Sequence, residues 1–174
     1  MTEDFAHRIN LDRIHDGDRV DLDADASERA AIAERLGLPS LDRLEAHVVL
    51  SRAGNAIRAE GRIAAALEQR CVVTGDPVAA HVDDAFAIAF VPEPAVTRSE
   101  EEIELGAGDC DVVFHDGSAI DLGNAIADTL ALVLPAYPRS AGADAALKEA
   151  GVLNESDASP FAALAKLRTS GSDS

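Results

Sequence analysis

Ala56-Ile57-Arg58-Ala59-Glu60-Gly61-Arg62-Ile63-Ala64-Ala65-Ala66-Leu67-Glu68-Gln69-Arg70-Cys71 is the stretch that decides the fold. Ile57, Ala59, Gly61, Ile63, Ala65 and Leu67 fall on one parity, while Arg58, Glu60, Arg62, Glu68 and Arg70 fall on the other. Residues two apart share a face of a strand, so this period predicts a half-buried antiparallel strand. Leu44 to Ala53 precedes it across Gly54-Asn55, a pair suited to a tight hairpin turn, and forms the first arm. Thr74-Gly75-Asp76-Pro77 makes the next corner, and Val78, Ala80, Val82, Phe86, Ile88 and Phe90 continue the alternation. Three long strands in succession predict a meander.

Upstream, Phe5, Ile9 and Leu11 mark a short strand over 5–11, Asp16-Gly17-Asp18 a turn, and Val20 and Leu22 a second short strand. Asp25, three residues before Glu28, opens a helix from Ala26 to Leu36 that Gly37 and Pro39 close. Downstream, Pro92, Pro94, four glutamates between 100 and 104, Gly106 and Gly108 predict a mobile acidic loop over about 92–110. A strand Asp111–His115, a helix capped by Asp121 and ended by Pro135, a short helix Asp144–Ala150 and a last helix from Pro160 complete the reading. The expected fold is one α+β domain over residues 1–168, followed by a disordered tail at 169–174. Its sheet has five or six mostly antiparallel strands, curled or half-barrelled, with helices packed on one side.

The 174 residues suit one domain. Of the 47% hydrophobic residues many are alanine, but Leu, Ile, Val and Phe still supply a modest core. No apolar run reaches membrane-span length, residues 1–20 lack a signal-peptide pattern, and two cysteines make no disulfide scaffold. The expected compartment is the cytoplasm.

Net charge is −17, with 15 basic against 32 acidic side chains. The deficit is concentrated: residues 71–138 hold one basic residue, Arg98, against thirteen acids. Binding bare nucleic acid requires Lys and Arg to replace counterions along the phosphates, and an anionic membrane makes the same demand. The charge therefore disfavours a general DNA or RNA binder and an anionic-membrane binder, and favours a basic protein partner or simple solubility.

Catalytic signatures are scarce. Five histidines are scattered without an i, i+4 pair, and neither Cys71 nor Cys110 belongs to a Cys-x-x-Cys pair. Asp109, Asp111 and Asp116-Gly117 lack the ligand spacing of a calcium loop. Without a phosphate loop or a nucleophile elbow, the expectation is a non-enzymatic protein with no cofactor and no metal. Arg52, Arg58, Arg62 and Arg70 share a parity across two strands. Such a face can grip phosphate if acid-free, or pair across strands with Glu60, Glu68 and nearby acids.

Gly61-Arg62-Ile63, Gln69-Arg70-Cys71-Val72-Val73-Thr74-Gly75-Asp76-Pro77-Val78 and Phe86 to Glu93 resemble, in that order, the bacterial YceD family of large ribosomal RNA subunit accumulation proteins. Ile120-Asp121-Leu122-Gly123, the helix ending Leu132-Val133-Leu134-Pro135, Tyr137-Pro138-Arg139 and Pro160 to Leu167 continue the resemblance. Abundant alanine and an Arg:Lys ratio of 13:2 match the GC-rich, alphaproteobacterial side of the family. The resemblance implies a factor in large-subunit assembly. Its partner would be a basic ribosomal protein or assembly factor, with large-subunit rRNA precursor engaged directly or indirectly. The family positions carried over are Arg70, Cys71, Thr74, Gly75, Pro77, Asp121, Pro138 and Arg139, to which the strand face adds Arg58 and Arg62 as binding candidates. Many relatives carry Cys-x-x-Cys at the corner and a second cysteine cluster suggestive of zinc. Here the corner reads Cys71-Val72-Val73-Thr74, and no cysteine follows Pro135. The alternative from another class is a small-molecule or metal-binding domain, which would need a roomy pocket or a Cys71–Cys110 site.

Overall fold

The computed structural model describes residues 5–93 and 110–152. Most of the expected acidic loop, the helix from Pro160 and the tail at 169–174 lie outside the described residues. The chain divides into two compact units, one of residues 1–69 with 79–136, the other of 70–78 with 137–174.

The first unit is built on the decisive strand. β1 (Arg8–Asn10), a 3₁₀ turn (Leu11–Arg13) and β2 (Asp18–Asp23) lead into α1 (Ala26–Leu36). Then follow β3 (Ser40–Ala53), β4 (Ala56–Arg70), β5 (Pro77–Pro92), β6 (Asp111–His115), β7 (Ala119–Asp121) and α2 (Leu122–Val133). The main sheet runs β2-β3-β4-β5-β6, open at both ends, and β1 pairs with β7 in a separate two-stranded ribbon. β2–β3 and β3–β4 pair antiparallel, while β5 and β6 run parallel. The fold is therefore α+β on a mixed sheet. The 5–11 segment is shorter as a strand than expected because Leu11 turns into the 3₁₀ turn, and β7 was not expected as a strand at all.

Gly54-Asn55 is the whole β3–β4 connection, and Gly54 takes the left-handed φ of 65° that the turn demands. The register sets Leu44 opposite Ala65, Ala46 opposite Ile63, Val48 opposite Gly61 and Leu50 opposite Ala59. Large side chains thus face small ones, and all of them except Gly61 are buried. Each buried Leu, Ile or Val contributes about 1.5–3 kcal/mol, so this face dominates the stability of the sheet. Gly61 has no room for more: a Cβ there would sit 1.9 Å from the His47 carbonyl oxygen.

Asp25 caps α1 through a reciprocal capping box with Glu28, and Gly37 ends the helix at φ 66°. Ile32 and Ala33 pack into the same hydrophobic cluster as β3 and β4. α2 adds Leu122, Ala125, Ile126, Ala127 and Leu130 to it, and Arg35 of α1 bonds Asn124 and Asp128 of α2. Val91 and Ile88 to Phe90 are all buried, the mark of a strand covered on both faces.

The second unit comprises the β4–β5 corner and the segment bearing α3 (Ala143–Glu149). Val72 N–H donates to the Pro138 carbonyl at 3.0 Å, and Ala143, 1% exposed, anchors the helix.

Candidate functional site

The candidate residues separate between the two units. Arg58, Arg62 and Asp121 lie in the first, and Arg70, Cys71, Thr74, Pro138 and Arg139 in the second.

On β4, Arg58 and Arg62 each have a carboxylate within ion-pair reach. Arg62 reaches Asp83 of β5 at 2.7 Å, and Arg58 lies 3.8 Å from Glu60. Arg52 donates to the backbone carbonyls of Ile14, at 3.0 Å, and Leu11. Arg43, which the sequence reading passed over, forks onto Glu45 with both contacts at 2.6 Å. Carboxylates and carbonyls occupy the guanidinium forks of Arg52 and Arg62 that an RNA phosphate would need. Asp83 escaped notice because its role depends on strand pairing, which sequence spacing does not disclose.

Asp121 has a structural task. Its carboxylate accepts the Asn124 N–H at 3.2 Å to cap α2, the Asn124 side-chain amide at 2.7 Å, and the His7 N–H at 3.2 Å. Gly123 beside it is needed for close approach, since a Cβ there would meet the Phe5 carbonyl oxygen at 2.1 Å.

In the second unit the corner and the Pro138 segment converge on one sulfur. Cys71 Sγ accepts N–H groups from Ser140 at 3.3 Å and Thr74 at 3.4 Å, and the two hydroxyls lie 3.3 Å apart. Gly75 N–H donates to the Cys71 carbonyl at 2.9 Å, and Gly75 takes φ 76° to close the turn. Hydrogen bonds from Ser140, then Thr74, pull the buried thiol down to about 6. Arg139 turns away to Asp144 at 3.2 Å, and Arg70 is exposed at the end of β4. Ser140 was missed at the sequence level; only its place directly after Pro138-Arg139 could have pointed to it.

This cradle offers one thiol and two hydroxyls. Zinc requires mostly thiolate and imidazole donors at tetrahedral positions, so the residues present do not fit a zinc centre. Among the described residues no group of three or more His, Cys, Asp or Glu could hold a metal, and both cysteines are free.

The acidic excess persists on the folded surface. Of the eight described acids between residues 71 and 138, Asp83, Asp116 and Asp128 form ion pairs, with Arg62, Arg8 and Arg35. Asp76, Asp84, Glu93, Asp111 and Asp121 have no cationic partner among the described residues. The Ser118 side chain and nearby backbone N–H groups hold Asp116 down to about 2.

Among the described residues no helix is long and apolar enough to cross a membrane. A family model described as large ribosomal RNA subunit accumulation protein YceD matches residues 59–168, well over half the chain. No curated protein and no solved structure matches it.

Proposed function

Because the chain belongs to the YceD family, whose work is the accumulation of large-subunit ribosomal RNA, we propose that it serves as a cytoplasmic, non-enzymatic assembly factor that binds a basic ribosomal protein. The observation that carries this reading is the opposite fate of the two charge sets. Arg62 of β4 is committed to Asp83 at 2.7 Å and Arg58 lies 3.8 Å from Glu60, while five of the eight described acids of the middle segment have no cationic partner among the described residues. A surface of that sign attracts cationic protein and repels the phosphate backbone over roughly 8 Å at physiological salt. Holding a basic ribosomal protein until its RNA site is ready would protect both from unproductive contacts. Large-subunit rRNA then accumulates because its assembly partner arrives in usable form.

The test is capture of partners from a bacterial lysate at rising salt, with and without nuclease. The expected result is a basic protein that survives nuclease and is released as salt rises. Retention of ribosomal RNA after bound proteins are stripped would reject the protein-first reading. Depletion of the protein should lower the ratio of large- to small-subunit rRNA.

A further inference from the structure

The two edges of the main sheet are not alike. β2 carries Asp18, Arg19, Asp21 and Asp23 in six residues, the charged composition that keeps an edge from recruiting another strand. β6 carries only Asp111, followed by Val112, Val113, Phe114 and His115, and Phe114 is 58% exposed. The His115 carbonyl accepts the Glu93 N–H at 3.0 Å, so His115 bonds inward to the β5 side. Backbone groups alternate along a strand, which turns those of Val112 and Phe114 outward. Among the described residues β6 pairs with no strand on that side.

Beside this edge α2 supplies a groove. One cavity of about 260 Å³ is lined by Val113 and His115 of β6, Ala125 and Asp128 of α2, and Arg8. A second of about 340 Å³ lies between Asp111, Phe86 of β5 and the helix residues Thr129, Leu132 and Val133. His115 is 8% exposed, and its Nδ1 accepts the Gly117 N–H at 3.0 Å. In the neutral ring the proton therefore sits on Nε2, which has no hydrogen-bond partner among the described residues. Of the acids lining these cavities, Asp116 pairs with Arg8, Asp128 with Arg35 and Asp121 caps α2, while Asp111 has no cationic partner among the described residues.

We propose that β6 and the α2 groove receive a cationic segment of a partner protein as an added strand. Main-chain bonds to Val112 and Phe114 supply affinity. Cationic side chains turned toward α2 reach Asp111, and alternate apolar ones cover Phe114. The inference rests on the basic-partner reading above and gives it a location.

The probe is a short peptide alternating Lys and Val, with a Glu–Val peptide of equal length as control, titrated into the full chain. The expected result is binding by the Lys–Val peptide alone, with slowed amide exchange at Val112 and Phe114 and shifted His115 ring signals. Val112→Pro removes an outward N–H and no bond to β5, so it should weaken binding by about tenfold at an unchanged melting temperature. If that variant melts early, Phe114→Glu, at an exposed position, should impose the same loss. Equal binding of both peptides, full binding by either variant, or amides at Val112 and Phe114 already protected in the free chain would overturn the inference. Salt-sensitive capture of a basic protein by Val112→Pro at full strength would also overturn it while leaving the proposed function standing. Failure of the unaltered chain to capture any basic protein would instead remove the function on which it rests.

Discussion

Cys71 is held by donors that sequence spacing only half discloses. Thr74 belongs to the same turn and could be read three residues away. Ser140 arrives through the Val72–Pro138 backbone bond, which no local pattern announces. The sulfur becomes an acceptor of N–H groups, and the thiolate is favoured over the thiol. Because the folded value lies below that of the unfolded chain, about 8.5, the thiolate's contribution to stability is present in full above that value. It is lost as pH falls through about 6. The ultraviolet absorbance of the thiolate should therefore titrate with a midpoint near 6, and Ser140→Ala should move the midpoint up. A midpoint left in the ordinary thiol range would show that the cradle does not act on the sulfur.

Among the elements, those with strong local signals were legible. The period of two in 57–67, the Gly54-Asn55 turn and the Asp25–Glu28 box lead directly to β3, β4 and α1. β7 and the parallel direction of β6 were not legible, because three residues show no period and direction depends on a distant partner. Gly61 is the point where pattern and packing meet. Alanine would continue the apolar face that the sequence suggests, yet the His47 carbonyl stands 1.9 Å from where its Cβ must go. Gly61→Ala should cost about 1–3 kcal/mol through displacement of β3 from β4, read as a lower urea midpoint with an unchanged slope. A neutral result would mean that the two strands can separate there without penalty.

For the whole molecule, charge was the most legible property and its arrangement the least. The total of −17 is visible in composition, whereas the pairing of Arg62 with Asp83, or Arg35 with Asp128, requires the fold. The exposed pairs are worth little each, so repulsion among the remaining acids governs the response to salt. Raising salt shortens the screening length from roughly 10 Å toward 3 Å, and the melting temperature should rise by roughly 2–4 °C, equivalent to about 1 kcal/mol. A fall instead would assign the larger share to the ion pairs. The β1–β7 ribbon brings His7 to Asp121, 114 residues further along the chain. At about 5–20 residues per second of translation, Phe5 and Ile9 emerge from the ribosome and wait roughly 6–23 s for β7 and α2 to be made. A member of a family that works in large-subunit ribosomal RNA accumulation thus spends that interval with β1 unclaimed by the strand it must pair with.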